Sequence, residues 1–103
     1  MRLRSLLFVP GDSERKFVKA QGSGADALIL DLEDSVAPSQ KDAARAHVAS
    51  LLDGSATRAW RFFVRPNPFD TGLTAADLAA VVKPGLDGLL VPKAEGGHDI
   101  CLL

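Results

Sequence analysis

Four short apolar runs recur along the chain, and each one stops at proline, glycine or charged residues. The runs occupy residues 5–9, 27–32, 59–64 and 88–91. The second run is apolar on both of its faces, as in a parallel strand that helices cover. Stretches with helical spacing of apolar residues lie between the runs. The pattern therefore predicts an α/β chain in the order β-α-β-α-β-α-β, with four parallel strands joined by right-handed crossovers.

Start signals place the three predicted helices. Asp12 or Ser13 can cap the first helix, and Pro38 with Ser39 opens the second. Thr74 is the expected N-cap of the third, with an acid three residues later as in a capping box. The residues expected to pack inwards are Phe17, Val18 and Ala20 in the first helix, Ala44, Val48, Leu51 and Leu52 in the second, and Leu78, Val81 and Val82 in the third.

Three carboxylates follow the second apolar run: Asp31, Glu33 and Asp34. They stand at the carboxyl end of a predicted parallel strand, where open sheets and barrels bind ligands. Strand parity puts Asp31 and Glu33 on one face, so these two are expected to look into one cavity. Acids packed this close repel one another unless a cation lies among them, which suits a divalent metal or its bound water. The alternative is structural: they cap the next helix or pair with Lys41 and Arg45.

Arg65 ends the third predicted strand, because Pro66 and Pro68 cannot continue a central ladder. Its planar guanidinium can bind a small carboxylic acid at two points, and the alternative is an ion pair with one of the acids. Asn67 is either a hydrogen-bonding group for a substrate or a turn former before proline. Lys93, at the tip of the fourth strand, is either a substrate-binding group or part of a salt-bridged rim.

Composition narrows the classes of function. The chain has 103 residues, of which 47% are apolar, and a formal net charge of −1. It therefore has no basic excess for binding nucleic acid or an anionic membrane, and no apolar run approaches the length of a membrane span. Its single cysteine, Cys101, cannot form an internal disulfide and is expected in the core. We expect a cytoplasmic protein with neither nucleic acid nor membrane as a partner.

Five motifs, in order, resemble one family. They read LFVPG at 7–11, LDLEDSV at 30–36, K-x-x-A-R at 41–45, V-R-x-N at 64–67 and V-P-K-A-E at 91–95. This order resembles the citrate lyase beta-subunit-like proteins of the HpcH/HpaI aldolase superfamily, whose relatives include malyl-CoA and citramalyl-CoA lyases. The resemblance spans nearly the whole chain, and five motifs in order are far more specific than any one of them.

The resemblance implies a TIM barrel that uses Mg²⁺ to cleave a 3-hydroxyacyl-CoA, such as citryl-, malyl- or citramalyl-CoA, into an acyl-CoA and a 2-oxo acid. Arg65 then corresponds to the arginine that grips the oxo-acid carboxylate. Glu33 and Asp34 correspond to the acidic pair that acts through the waters of the metal, and Asp31 is a third candidate beside them. Lys41 matches a family position to which no role is assigned. The direct Mg²⁺ ligands of this family are expected beyond residue 103.

A TIM barrel takes about 250 residues, so residues 1–103 are interpreted as a single partial barrel unit, the N-terminal half, which stops after its fourth strand. We expect exposed edges on the first and fourth strands, an inner face without its opposite wall, and a chain that is inactive by itself. A homo-oligomer or a complementing partner chain would close the sheet. Two other interpretations stay open: a receiver-like, doubly wound signalling domain, and a non-catalytic half-barrel that works only through association.

Overall fold

The computed structural model describes residues 5–33, 35–54, 58–68, 72–92 and 98–102. Within these ranges the chain alternates strands with helices and then adds a fifth strand. The elements are β1 (Leu6–Pro10), α1 (Glu14–Gln21), β2 (Ala27–Asp31), a 3-10 turn (Pro38–Gln40), α2 (Lys41–Gly54), β3 (Arg61–Arg65), α3 (Thr74–Val81), β4 (Gly88–Pro92) and β5 (His98–Leu102).

Strands β1 to β4 lie side by side in sequence order and run parallel. Their tips are level, because Pro10 lies opposite Asp31 and Asp31 lies opposite Arg65. The mostly parallel α/β sheet and the alternation from β1 to β4 agree with the prediction from the apolar runs. The carboxyl ends of β1, β2 and β3 therefore meet at one edge of the sheet, while the half-barrel itself stays a prediction.

β5 corrects the prediction for the end of the chain, where no strand was expected. It pairs with β4 in antiparallel register, with Gly88 opposite Leu102. β4 therefore has a neighbour on each side, and the exposed edge predicted for it is wrong. Cys101 is exposed and does not lie in the core as predicted, because β5 is the outermost strand at this end of the sheet.

Apolar side chains pack on both faces of the sheet. The larger cluster lies under the helices, where Phe17 of α1, Val48 of α2 and Val81 of α3 meet the strands. A second cluster on the opposite face joins β2, β3 and β4, and each of its side chains is at most 8% exposed. This face of the sheet is therefore buried at these positions. The members of this second cluster are Ala27, Ile29, Phe63 and Leu90.

The helix ends confirm one predicted cap and correct another. Ser13 caps α1, since its Oγ accepts a hydrogen bond from the backbone N–H of Lys16 at 3.3 Å. Thr74 is not the N-cap of α3: it is the first helical residue, and Leu73 occupies the cap position without a side-chain hydrogen bond. The Thr74 hydroxyl instead donates to the carbonyl oxygen of Asn67 at 2.8 Å.

Two valines predicted to pack inwards are exposed. Val18 is exposed because α1 turns its neighbour Phe17 towards the sheet, and Val82 is exposed because α3 ends one residue before it. Across the described ranges, no helix combines the length and the apolar character that crossing a membrane requires.

Candidate functional site

Asp31 and Arg65 form a two-point ion pair at the carboxyl ends of β2 and β3. Nε of Arg65 donates to Oδ1 of Asp31 at 2.9 Å, and Nη2 donates to Oδ2 at 2.6 Å. The two residues lie opposite each other in the parallel register, so the sheet itself brings the groups together. The Asp31 side chain is fully buried and the Arg65 side chain is 12% exposed. A planar pair with two hydrogen bonds fixes the orientation of the guanidinium.

The Asp31 carboxylate also holds the chain that leaves β2. Its oxygens accept hydrogen bonds from the backbone N–H of Glu33 at 2.9 Å and from the N–H and hydroxyl of Ser35 at 3.0 and 2.6 Å. Burial alone would raise the pKa of Asp31, but the hydrogen bonds from Arg65, Ser35 and these amides outweigh it and lower the pKa from 3.8 to about 2. The cation that balances this buried acid is therefore the arginine.

Glu33 and Phe8 also lie close to the guanidinium. Oε1 of Glu33 lies 3.3 Å from Nε of Arg65, and the Phe8 ring centroid lies 5.0 Å from Cζ. The structure thus brings Asp31 and Glu33 together on one side of the sheet edge, as strand parity predicted. The ion pair that was the alternative for Arg65 is present, and the substrate role of Arg65 stays a prediction.

Two predicted site residues, Asp34 and Lys93, lie outside the described residues. Their proposed roles beside the metal waters and the substrate remain predictions. The structural alternative for the acids named Lys41 and Arg45 as partners, and the described part of the chain shows other contacts for both. Lys41 donates to backbone carbonyl oxygens at the end of β2, and Arg45 pairs with acids on α2 and α3.

Asp77 of α3 organises the loop that follows Arg65, although it was not among the predicted site residues. Its Oδ2 accepts hydrogen bonds from the backbone N–H and Nδ2 of Asn67 at 2.7 and 2.8 Å, and its Oδ1 accepts one from Nε of Arg45 at 2.9 Å. Asp77 is fully buried and Asn67 is 2% exposed. A sequence signal existed, because Asp77 shares a helical face with Val81 and an acid on an apolar face needs a buried partner.

The side-chain amide nitrogen of Asn67 is therefore used inside the protein. Its Oδ1 is buried and has no hydrogen-bond partner within the described ranges. This arrangement makes Asn67 a group that fixes the loop after β3. The predicted hydrogen bond from Asn67 to a substrate remains untested, with Oδ1 as the atom that could still accept one.

Gly11, in the turn after β1, links α2 to the end of β2. Its N–H donates to the carbonyl oxygen of Asp31 at 2.8 Å, and its own carbonyl accepts a hydrogen bond from Nδ1 of His47 at 2.7 Å. A Cβ at position 11 would lie 2.8 Å from the Asp31 oxygen, closer than real Cβ atoms approach. Glycine is required here because only it permits this distance between the two backbones.

The described residues do not form a site for Mg²⁺. They contain no group of three histidine, cysteine, aspartate or glutamate side chains placed to hold a metal ion. Asp31, the most buried candidate, already accepts five hydrogen bonds, whereas an ionised carboxylate offers about four lone-pair sites. In this structure the Asp31 carboxylate is therefore used by protein donors, and its predicted place beside the metal waters stays a prediction.

A sequence model of the HpcH/HpaI aldolase/citrate lyase family matches residues 4–103. The chain belongs to this family. Membership in the HpcH/HpaI family confirms the resemblance carried by the five motifs, and it does not favour the receiver-like alternative. The sheet agrees, because β1 to β4 follow one another in order, whereas a doubly wound sheet reverses its strand order at a switch point.

Curated proteins of this kind are similar over most of the chain. One named (3S)-malyl-CoA thioesterase, from Cereibacter sphaeroides, is 43% identical over 98 residues, which is 94% of this chain and 34% of that protein. The citrate lyase subunit beta of Escherichia coli is 40% identical over 97 residues, 94% of this chain and 32% of that protein. The corresponding subunit of Haemophilus influenzae is 37% identical, with 94% and 33% covered. This HpcH/HpaI chain thus spans about a third of the length of these relatives.

Proposed function

We propose that this chain carries the carboxylate-binding part of a carbon–carbon lyase of the citrate lyase beta-subunit type. Such an enzyme splits a 3-hydroxyacyl-CoA, for example citryl-, malyl- or citramalyl-CoA, into an acyl-CoA and a 2-oxo acid. The observation that supports the proposal most is Arg65, held in a fixed plane by Asp31 at the carboxyl edge of the parallel sheet. A cation whose orientation is already fixed loses little freedom when it binds a small carboxylate.

In this proposal Arg65 binds the carboxylate of the 2-oxo acid and Glu33 gives way to it. A guanidinium has five N–H donors in a rigid fork, and Asp31 holds it through Nε and Nη2. The Glu33 contact is the longer one at 3.3 Å, and its side chain is 20% exposed. In the proposal, an incoming carboxylate displaces the negative charge of Glu33 from beside the guanidinium, while the single N–H of Nε keeps its hydrogen bond to Asp31. Asp34 and Lys93 keep their proposed roles beside the metal waters and the substrate.

Mg²⁺ enters the proposal only through the family resemblance. Its direct ligands are expected beyond residue 103, and the described residues offer no metal site of their own. When bound, Mg²⁺ would polarise an oxygen beside the bond that breaks. The residues of this chain have a different task, which is to bind and orient the carboxylate next to that bond.

Binding of a 2-oxo acid tests the proposed role of Arg65 directly. We expect pyruvate to perturb the Nε–Hε resonance of Arg65 in ¹⁵N NMR spectra, and methyl pyruvate, which lacks the carboxylate, to leave it unchanged. Arg65→Lys should abolish or strongly weaken pyruvate binding because lysine lacks the planar fork. Arg61→Lys is the matched control, since Arg61 stands at the opposite end of the same strand. Equal loss of binding in both variants would contradict the proposal.

A chimera tests the reaction. Residues 4–103 would replace the matched segment of the E. coli citrate lyase beta subunit, and the chimera would be assayed with malyl-CoA and citryl-CoA in the presence of Mg²⁺. The proposal expects acyl-CoA and a 2-oxo acid as products, and expects Arg65→Lys in the chimera to remove the activity. The 103-residue chain alone is expected to be inactive, so turnover by it would contradict the partial-barrel interpretation.

Thioester hydrolysis is a second candidate, because proteins named (3S)-malyl-CoA thioesterase are among the relatives at 43% identity. Hydrolysis of malyl-CoA releases free CoA and malate, whereas carbon–carbon cleavage releases acetyl-CoA and glyoxylate. A thiol reagent in the assay of the chimera distinguishes the two, since only hydrolysis yields a free thiol. Free CoA without an oxo acid would favour the thioesterase.

Association with another chain completes the proposal. In the described part of the structure β1 has a neighbour on one side only, and its Leu6, Leu7 and Phe8 are 43%, 37% and 47% exposed. An apolar strand with an open edge favours pairing with a second copy or a complementing chain. Light scattering over a concentration series would detect self-association, and a monomer mass at every concentration would contradict pairing with a second copy.

A further inference from the structure

Lys41, the first residue of α2, binds the backbone of the segment that follows β2 and carries Glu33. Its Nζ donates to the carbonyl oxygens of Leu32 and Glu33, both at 2.9 Å. We propose that Lys41 is a positioning residue of the candidate site, which fixes this backbone and thereby sets the side chain of Glu33 against Arg65. The inference rests on the proposed function, but its first readout needs no ligand.

The hydrogen bonds show that the segment after β2 is fixed on two sides. The Asp31 carboxylate accepts hydrogen bonds from the N–H groups of Glu33 and Ser35, and Lys41 donates to the carbonyl groups of Leu32 and Glu33. These carbonyls lie just past the end of β2. The N–H of Leu32 still donates to the carbonyl of Arg65 at 3.0 Å, and the N–H of Val36 donates to the carbonyl of Glu33 at 3.3 Å. The Asp31 carboxylate and the Lys41 ammonium therefore add to these backbone hydrogen bonds along the turn.

The position of Lys41 on its helix supports a role beyond helix stability. A lysine at the amino-terminal end of a helix opposes the helix dipole, which favours acids there and cations at the other end. The Lys41 side chain extends from the helix towards the end of β2, where it is partly buried and its ammonium binds a backbone carbonyl. Residues that break a local preference and gain specific contacts elsewhere are expected at functional sites.

Fixing the backbone of Glu33 matters because its carboxylate makes the longer contact with Arg65. Oε1 lies 3.3 Å from Nε, and a small movement of the Glu33 backbone would break this contact or bring it closer. Asp31 would still hold the guanidinium. The expected effect of losing Lys41 is therefore a displaced Glu33 at an intact Asp31–Arg65 pair, which changes how readily a carboxylate reaches the cation.

The test compares Lys41→Met with Lys41→Arg in the 103-residue chain. In the absence of ligand we expect Lys41→Met to shift the Nε–Hε resonance of Arg65 and to speed amide hydrogen exchange at Glu33 and Ser35, and Lys41→Arg to restore most of both. The pyruvate dissociation constant should fall by up to about fivefold, the effect of losing one partly exposed ion pair that competes with the incoming carboxylate. Lys83→Met is the matched control, because its ammonium also has a partner, Asp53 at 2.8 Å.

Each outcome decides the inference. A folded Lys41→Met protein with an unchanged Arg65 resonance and unchanged exchange would overturn it, even if its stability fell, because lost stability alone means a structural role. If Lys41→Met does not fold, Lys41→Gln takes its place, since glutamine keeps a donor without the charge. If the unsubstituted chain fails to bind pyruvate, the proposed function fails, and the ligand-free resonance still decides the role of Lys41.

Discussion

Asp31 and Arg65 are register partners on neighbouring parallel strands, and their side chains meet in two hydrogen bonds of 2.9 and 2.6 Å. Both side chains leave the same face of the sheet at its carboxyl edge. The geometry of the pair therefore follows from the pairing of β2 with β3, and it survives only while that register holds. The following predictions test this pair and the contacts around it.

Replacing Asp31 with asparagine should lower the free energy of unfolding by about 3 kcal/mol or more, because it removes the buried counter-charge of a nearly buried guanidinium and leaves the longer contact with the partly exposed Glu33. The NH₂ group of the asparagine would also face N–H or O–H groups that now donate to the Asp31 carboxylate, so these donors would lose their acceptor. Urea unfolding measures the change. Asp42→Asn is the control, since Asp42 also pairs with an arginine but its side chain is 94% exposed, and it should leave the urea midpoint almost unchanged.

The same pair should make stability depend on acid pH. The folded-state pKa of Asp31 is about 2 against an ordinary 3.8, so the charged form is favoured by folding. This contribution, about 2 kcal/mol, is complete above about pH 5 and is lost as the pH falls through about 2. The gap in unfolding free energy between the unsubstituted chain and Asp31→Asn should narrow over that range. A gap that stays constant down to the lowest pH would contradict the assignment.

Asp77→Asn should destabilise the protein by about 3 kcal/mol, because a fully buried carboxylate that holds Arg45 and Asn67 loses its charge. Amide hydrogen exchange at Asn67 should become faster, since its N–H loses a charged acceptor. Asp53→Asn is the comparison variant, because Asp53 also pairs with a cation, Lys83, but its own side chain is 66% exposed. Asp53→Asn should therefore have a much smaller effect on stability. Equal effects of the two substitutions would show that Asp77 does not organise the loop after β3.

Gly11→Ala should cost about 1–3 kcal/mol, since its Cβ would press on the backbone of β2. Gly54→Ala is a glycine control in open space: nothing lies within 4 Å of its Cβ, and it occupies the last residue of α2. Alanine is the better helix former, so Gly54→Ala should be neutral or stabilise by up to about 1 kcal/mol. Thermal unfolding of both variants measures the difference, and equal midpoints would argue against the close approach at Gly11.

Cys101 should react with a thiol reagent in the native state at a rate close to that of the chain unfolded in urea. The reason is its exposure on β5. Strong protection would show that another surface covers β5, for example in an oligomer. A measurement at several protein concentrations separates these cases, because protection by self-association grows with concentration.

The convergence of Asp31, Glu33 and Arg65 could be predicted from the sequence. A run apolar on both faces indicates a parallel strand, and the carboxyl tips of parallel strands share an edge, so acids and a base at such tips must meet. Which of these side chains form hydrogen bonds with one another could not be predicted. Whether the guanidinium pairs with Asp31 depends on the register of β2 with β3, which local patterns do not fix.

Other features depend on contacts between distant parts of the chain. Thr74 has the residue type of an N-cap. Its hydroxyl instead donates a hydrogen bond to the carbonyl oxygen of Asn67, which lies seven residues earlier in the chain. β5 follows a polar, glycine-rich stretch and is too short for periodicity to distinguish it from a tail. Asp77 belongs to a capping-box-like pair and Lys41 to a sequence motif, but neither pattern indicates the partners that the two side chains have in the fold.

The close approach at Gly11 limits how this chain can vary at that position. The nearest atom to a Cβ at this position is a backbone oxygen, so no smaller neighbour can make room for a side chain there. Compensating substitutions at Leu32 or Val48, which are the next nearest groups, would not relieve the clash. Any side chain at position 11 therefore destabilises a chain that keeps β1 and β2 in this pairing, whatever substrate it uses.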